Sequence, residues 1–296
     1  MSELGYDESR NLDVAFHFIS EGEGDQLPAV VRRIIAAHPD VVVAIGPDAA
    51  LELKRATSRI PIVVAAAPDP VERGLVESYS RPGGNITGVA PLASGLGLKR
   101  LEMLKEAVPD LSRVAVLSTP GWDSRSTSKG RQWVDLQAAA REVGVNIFVV
   151  EARETGSGTD TTNTVLEAIA EAKLRGADGL LLLVDAVLES RRSLIAQAAQ
   201  HHALPGMFYR LEFAEEGGLL AYAPDTLSEY RLVAQFVVQI INGANPAELP
   251  IARQTHYETV LNLDTAQELG LEIPSSFLFK VTKFIGGAQR AHPNDG

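Results

Sequence analysis

The chain has 296 residues, of which 45% are hydrophobic and 22% charged, a composition typical of a folded globular protein. Its length predicts two domains. The net charge of −11 argues against a nucleic-acid partner, because binding to a phosphate backbone usually requires a basic surface. There is no cysteine, which excludes disulfides, thiolate metal sites and a cysteine nucleophile.

The apolar runs are too short to cross a membrane. Examples are residues 41–45 and 179–184, whereas a spanning helix needs about 18 to 20 consecutive apolar residues. We therefore predict no direct membrane span. The first eight residues have neither the basic nor the apolar region of a signal peptide.

In the first part of the chain, apolar strand patterns alternate with amphipathic helix patterns. The strands are predicted at residues 12–19, 41–45, 62–66 and 86–89. The helices are predicted at residues 25–37, with Asp25 as N-cap, and at residues 47–57 and 70–78. Continuous apolar strands separated by helices are typical of parallel sheets covered on both faces, so this series predicts one doubly wound α/β lobe.

The same alternation repeats after a break near Pro91 and predicts a second lobe. Its helices are predicted at residues 96–108, 126–143, 163–174 and 188–201. Its strands are predicted at residues 114–118, 147–151, 179–184 and 206–209. The remaining elements are strands at 219–222 and 260–263, helices at 227–242 and 265–269, and a last element at 275–285. Further elements after two complete lobes predict that the chain crosses back between them.

Ligands of open parallel sheets bind beyond the carboxyl ends of the strands. The candidate binding residues at these ends are Pro47, Asp48, Ala67, Asp69, Ser118, Thr119, Asp185, Tyr209 and Tyr222. Amides at a helix N-terminus favour a carboxylate, and a carboxylate such as that of Asp185 suits a ligand ammonium. The alternative for Asp48, Asp69 and Asp185 is that each only caps a helix.

Catalytic signatures are absent. The six histidines show no metal-ligand spacing, and the sequence contains no nucleophile elbow and no phosphate-binding glycine loop. Ser126 and Lys129 match a Ser-x-x-Lys pattern, but they lie at the start of a predicted surface helix without the companion motifs, so we assign them no catalytic role. We expect reversible binding, with no enzymatic activity, no cofactor and no metal ion.

Several longer stretches carry a resemblance to a known family. They are residues 56–63, 81–88, 213–222, 240–250 and 261–266. Together they resemble the ABC transporter substrate-binding proteins of the tryptophan/tyrosine-uptake type, and the resemblance covers the chain from Leu4 to about Leu278.

The resemblance implies a type I periplasmic-binding fold with two lobes and an interlobe cleft. Lobe 1 would comprise residues 1–90 and 222–250, lobe 2 residues 91–221 and 251–285, and residues 286–296 a flexible tail. The implied function is to bind a small molecule, an aromatic amino acid or a related compound, and to present it to an ABC permease and its ATPase. The implied location is the periplasm or another extracytoplasmic compartment.

Two departures from the family pattern stand out. The family has a leader and a first strand before the stretch matched here by residues 4–12, so we expect the first strand of lobe 1 to be missing from this chain. The usual Gly-Thr-Pro of the family reads Gly46-Pro47-Asp48, which removes a hydroxyl suited to a ligand carboxylate and adds a negative charge.

Two other functions remain open from the sequence. One is a ligand-sensing domain of a receptor or regulator. The other is a two-lobed α/β enzyme such as a racemase or lyase, which would require paired acid–base groups that the sequence does not show.

Overall fold

The structure is a computed structural model that describes residues 1–19, 26–91, 96–124, 127–153 and 158–287. The chain divides into two compact units. Unit 1 comprises Met1–Ala93 and Pro224–His256, and unit 2 comprises Ser94–Ala223 and Tyr257–Gly296. Within the described ranges, no helix combines the length and the apolar character needed to cross a membrane.

The strands are, in chain order, β1 (Val42–Ile45), β2 (Ile62–Ala65), β3 (Ile86–Ala90), β4 (Arg113–Ser118), β5 (Asn146–Glu151), β6 (Gly179–Leu182), β7 (Gly206–Phe208), β8 (Leu220–Pro224), β9 (Ala252–Arg253), β10 (Tyr257–Asn262) and β11 (Lys283–Ile285). The α-helices are α1 (Leu27–Ala36), α2 (Pro47–Ala56), α3 (Leu96–Ala107), α4 (Ser128–Val143), α5 (Gly158–Leu174), α6 (Ala186–Glu189), α7 (Arg192–His201), α8 (Glu212–Glu215), α9 (Thr226–Ile241), α10 (Leu263–Glu268) and α11 (Ser275–Leu278). Short 3₁₀ helices span Ser2–Leu4 and Pro246–Glu248.

Unit 1 contains a four-stranded parallel sheet in the order β1-β2-β3-β9. Every residue of β2 is buried, as the continuous apolar sequence predicts. Gly88 in β3 has a φ of +135°, and a Cβ at this position would lie 2.3 Å from the main-chain oxygen of Val64. A glycine at this position therefore allows β3 to lie close against β2.

Unit 2 contains a seven-stranded sheet in the order β11-β10-β8-β7-β6-β4-β5. The strands from β5 to β8 are parallel. β10 runs opposite to β8, since the amide of Asn262 at its end bonds to the oxygen of Leu219, and Tyr257 at its start stacks on Tyr222. Two apolar clusters pack in this unit, around Phe208 in one and Leu104 in the other. The carboxyl ends of the parallel strands therefore lie along one edge of the sheet. The amino end of β10, at Tyr257, lies along the same edge because β10 runs in the opposite direction.

The prediction of a strand at residues 12–19 is wrong. The segment has no strand structure, and Phe16 and Phe18 are 72% and 88% exposed. Alternation of apolar and polar residues specifies a strand only where a neighbouring strand supplies hydrogen bonds, and none pairs with this segment within the described residues.

The helix predicted at residues 70–78 is a single turn. The amides of Gly74 and Leu75 bond to the oxygens of Val71 and Pro70, and Gly74 then takes a φ of +66°, which ends any helical continuation. The predicted helix at 188–201 is divided into α6 and α7, with Arg191 between them at the start of α7.

Residues 251–256 lie in unit 1 and not with lobe 2, where the sequence analysis placed them. The sequence indicates only extended chain here, and it does not show that β9 pairs with the end of β3. The predicted cap Asp25 and the residue Ser126 lie outside the described residues, as does the predicted tail from residue 288 onward.

Candidate functional site

The carboxyl edge of the unit 2 sheet brings three of the predicted residues together. Thr119 follows β4, Asp185 follows β6 and Tyr209 follows β7, and these strands are parallel neighbours. The hydroxyl of Thr119 donates to Oδ2 of Asp185 at 2.5 Å. The hydroxyl of Tyr209 donates to the main-chain oxygen of Asp185 at 2.7 Å. The strand order therefore converts three distant residues into one polar cluster.

Lys129 joins this cluster, although the sequence analysis gave it no role. Its Nζ lies 2.9 Å from Oδ2 of Asp185 and 2.6 Å from the hydroxyl of Thr119. Lys129 is the second residue of α4, whose first turn is capped by the hydroxyl of Thr127. A cation is disfavoured near a helix N-terminus by the helix dipole. A lysine in the first turn of a predicted helix was therefore a sequence signal that could have indicated a carboxylate partner.

The carboxylate of Asp185 is fully engaged. Its Oδ1 accepts hydrogen bonds from the amides of Val187 at 2.8 Å and Leu188 at 3.4 Å, while Oδ2 accepts those from Thr119 and Lys129. A carboxylate offers about four acceptor positions, and all are occupied here. Its side chain is only 6% exposed. Asp185 thus caps the start of α6 and pairs with a cation at the same time.

Arg100 on α3 is a second site residue that the sequence analysis missed. It is only 7% exposed, and its Nε donates to the main-chain oxygen of Tyr222 at 3.0 Å. Among the residues that the structure describes, its two terminal nitrogens make no hydrogen bond and no ion pair. Burial lowers the pKa of Arg100 to about 10, so the guanidinium is still charged at neutral pH. A buried cation without a carboxylate is costly unless an anion binds it.

Three tyrosines lie in the electrostatic surroundings of Arg100. They are Tyr209, Tyr222 and Tyr257. The rings of Tyr222 and Tyr257 are stacked, with centroids 5.4 Å apart and an angle of 21° between their planes. Burial raises the pKa of Tyr209 and of Tyr222, so both phenols are neutral near pH 7. The edge therefore combines one unpaired cation with aromatic surface.

Ser118 contributes less than predicted. It is fully buried, and its hydroxyl donates to the main-chain oxygen of Thr119 at 2.9 Å. This bond holds the loop that follows β4. We assign Ser118 to the support of Thr119.

In unit 1, the predicted residues follow β1 and β2. Pro47 and Asp48 lie in the first turn of α2, after Gly46, and the carboxylate of Asp48 is exposed. An acidic residue at this position is favoured by the helix dipole. Asp69 lies in the loop after β2 with a φ of +52°. The side chain of Ala67 is fully buried in the core of unit 1, so only its main chain remains for a ligand.

The loop after β2 is held by Glu229, which the sequence analysis did not single out. The amide of Ala66, a residue with a φ of +51°, donates to Oε1 of Glu229 at 2.7 Å. Glu229 is buried on α9. A left-handed conformation at a non-glycine residue is strained, and this bond stabilises it.

Two grooves are described in unit 1. One has a volume of about 530 Å³ and is lined by residues that include Lys54, Arg59 and Asn85; the other, of about 340 Å³, includes Asp69. Asn85 immediately precedes β3, so the larger groove lies at the amino ends of the strands. It contains none of the predicted site residues, and we do not assign the ligand site to it.

The comparison with known families decides the identity. The family model described as "ABC transporter substrate binding protein" matches residues 1–285. The chain belongs to this family. The family resemblance inferred from the sequence motifs is thereby confirmed, and so is the solute-binding function that it implies.

A curated relative of this substrate-binding protein is the tyrosine-binding protein of Clostridioides difficile (strain R20291). It is 23% identical over 291 residues, which cover 98% of this chain and 80% of the relative.

Two solved structures are similar over most of their length. The ABC domain from Streptococcus pneumoniae in complex with L-Trp is 25% identical, with a TM-score of 0.77 and coverage of 94% of this chain and 91% of that one. A conserved domain protein from Vibrio cholerae is 24% identical, with a TM-score of 0.80 and coverage of 96% and 90%. The predicted fold class, two α/β lobes of the type I periplasmic-binding kind, is confirmed.

Proposed function

We propose that this substrate-binding protein binds a small aromatic carboxylate, an aromatic amino acid or a related compound, at the carboxyl edge of its unit 2 sheet. It presents this ligand to an ABC permease and its ATPase in an extracytoplasmic compartment. The observation that carries the proposal is the buried guanidinium of Arg100, which has no carboxylate partner among the described residues.

Arg100 has the chemistry of a carboxylate receptor. A guanidinium presents two parallel N–H donors that match the two oxygens of a carboxylate, and its charge persists at neutral pH. Since the Nε of Arg100 is already bonded to Tyr222, the terminal nitrogens are held in one orientation. A ligand anion would therefore meet a preorganised receptor.

The aromatic surroundings favour a ligand that carries a ring. Tyr222 and Tyr257 are stacked on each other beside Arg100, and aromatic groups prefer such offset or tilted contacts. The names of two relatives support this class, since one is a tyrosine-binding protein and the other was solved with L-Trp.

The titrating groups at this edge suit binding better than catalysis. Proton transfer near neutral pH requires a group with a pKa near the working pH, whereas burial raises the pKa of Tyr209 and leaves that of Arg100 at about 10. We therefore assign the edge to reversible binding.

The proposal is tested by isothermal titration calorimetry with L-tyrosine, L-phenylalanine and their deaminated analogues, using L-leucine and phenethylamine as controls. We expect at least one aromatic carboxylate to bind and phenethylamine not to bind. Arg100→Lys, which keeps the charge and loses the paired donors, should weaken binding about 10- to 150-fold, the range of a charge-assisted hydrogen bond.

The matched control is Arg113→Lys, because Arg113 lies at the amino end of β4 and contacts the ring of Phe148. This control should bind like the wild type. Binding of phenethylamine but of no aromatic carboxylate would contradict the proposal.

A further inference from the structure

We infer that Lys129 is a built-in counterion that occupies the place of a ligand ammonium on Asp185, so that the site selects aromatic carboxylates without a charged amine over the matching amino acids. This inference rests on the proposed function and narrows its ligand class. The observations that carry it are the pairing of Lys129 with Asp185 and the complete hydrogen bonding of that carboxylate.

The carboxylate of Asp185 has no acceptor position left for a ligand. Two main-chain amides occupy Oδ1, and the hydroxyl of Thr119 and the ammonium of Lys129 occupy Oδ2. An amino-acid ligand could bind here only by displacing one of these donors. Because the side chain of Asp185 is 6% exposed and that of Lys129 22% exposed, the displaced partner would leave a largely buried contact.

Charge opposes the entry of a second ammonium. The Nζ of Lys129 is 2.9 Å from Asp185, so the negative charge of this carboxylate is already neutralised. An incoming ammonium would gain little attraction from the pair, and it would be repelled by Lys129 at close range. Removing one partner of a buried pair is strongly unfavourable. The pair therefore acts against ligands that carry an amine, which is how sites reject close analogues.

Thr119 fixes the geometry of the pair. Its hydroxyl accepts from Lys129 and donates to Asp185, so each of the three groups contacts the other two. The three residues come from the tip of β4, the tip of β6 and the first turn of α4. Because Lys129 is bound by residues of two different loops, its ammonium is held in one place, unlike that of a free surface lysine.

The neighbouring tyrosine connects this pair to the proposed carboxylate receptor. Tyr209 donates to the main chain of Asp185 and lies in the electrostatic surroundings of Arg100. Because Tyr209 interacts with both groups, we place the substituent next to a carboxylate bound by Arg100 on the side of Lys129. A neutral or hydrogen-bond-accepting substituent suits that position, and an ammonium does not.

The test compares matched ligand pairs by calorimetry. The pairs are L-phenylalanine with 3-phenylpropanoate and L-tyrosine with 3-(4-hydroxyphenyl)propanoate, measured on the wild type, on Lys129→Ala and on the control Lys99→Ala. Lys99 lies on α3 of the same unit, with Glu102 at 3.6 Å, and its side chain is 42% exposed.

We expect the wild type and Lys99→Ala to prefer the propanoates by about 10-fold or more, the lower limit for a charged hydrogen bond. Lys129→Ala should lose or reverse this preference. If the wild type binds the amino acids as well as the propanoates, or if Lys129→Ala keeps the wild-type ratio, the inference is wrong while the proposed function stands. If no aromatic carboxylate binds the wild type, the proposed function itself fails.

A second measurement shows whether Lys129→Ala is folded and whether the position on Asp185 vacated by the lysine ammonium can bind another cation. Ethylammonium chloride should raise the melting temperature of Lys129→Ala above the value in equal sodium chloride, because a bound cation stabilises by mass action. It should not do so for the wild type or for Lys99→Ala. Equal melting temperatures of Lys129→Ala in both salts would mean that Lys129 does not occupy a cation-binding position on Asp185.

Discussion

Tyr209 and Asp185 are linked by a hydrogen bond of 2.7 Å from the phenol to the main-chain oxygen. The bond joins the tip of β7 to the residue that starts α6, so it fixes the spacing of two neighbouring strand ends. It also places the ring of Tyr209 against Phe213, with centroids 5.5 Å apart. Tyr209 is therefore a positioning residue for the cluster around Asp185.

Tyr209→Phe should lower the free energy of unfolding by about 1–3 kcal/mol, because it keeps the ring but removes both hydrogen bonds of the phenol to the main chain of Asp185, one donated at 2.7 Å and one accepted at 3.4 Å. Equilibrium urea unfolding measures this change. The control is Tyr230→Phe, since Tyr230 is 43% exposed and should tolerate the loss of its hydroxyl. Equal stabilities of the two variants would mean that the bond to Asp185 contributes nothing.

Arg100→Met should separate stability from binding. At neutral pH the lowered pKa of Arg100 means that its burial as a cation counts against folding, and the methionine removes this cost. We expect the free energy of unfolding at pH 7 to rise by about 1 kcal/mol or to stay constant, as with other buried charges replaced by apolar groups. Ligand binding should be lost.

The pH dependence gives the sign of the Arg100 effect. Between about 10, its pKa in the folded chain, and 12.5, its ordinary value, the unfolded chain binds more protons, so the contribution of Arg100 to stability increases with pH in this window. The advantage of Arg100→Met should therefore be constant below pH 10 and shrink above it. A variant less stable than the wild type by several kcal/mol at pH 7 would contradict this account.

Gly88→Ala should destabilise unit 1 by roughly 1–3 kcal/mol or more, because its Cβ would overlap the oxygen of Val64 and its φ is unsuited to alanine. Thermal unfolding measures the effect. Gly84→Ala is the matched control, since a Cβ there meets nothing within 4 Å. A wild-type melting temperature for Gly88→Ala would show that β3 moves away from β2 without cost.

Phe16→Ser combined with Phe18→Ser should leave the stability unchanged and reduce self-association, because both rings are exposed. Sedimentation velocity at several concentrations measures the association. Phe213→Ala is the contrasting variant: Phe213 is fully buried and its truncation should cost about 3–5 kcal/mol. A large loss of stability in the double variant would place the two rings in a packed interface.

The sequence predicted the parallel sheets and the strand ends of the candidate site because both depend on local patterns. β2, for example, reads as a buried strand from its own residues. The contacts of Lys129 and Arg100 could not be predicted in this way. Lys129 meets Asp185 across 56 positions and Arg100 meets Tyr222 across 122, and both depend on strand order and helix placement. Residues 12–19 show that a local pattern can also mislead. They alternate between apolar and polar residues as a strand does, but they form no strand because no neighbouring strand pairs with them within the described residues.

The route of the chain has a consequence for folding during synthesis. β4 to β8 of unit 2 follow one another along the chain, whereas β1 to β3 of unit 1 are completed by α9 and β9. The amide of Ala66 donates a hydrogen bond to Glu229, 163 positions later in the chain, and the hydroxyl of Thr87 donates one to the main-chain oxygen of Leu249. At about 5–20 residues per second, the ribosome leaves the first three strands without these partners for roughly 8 to 30 s. We therefore expect unit 1 to complete its fold only after β9 has been synthesised, later than the strands β4 to β8 of unit 2.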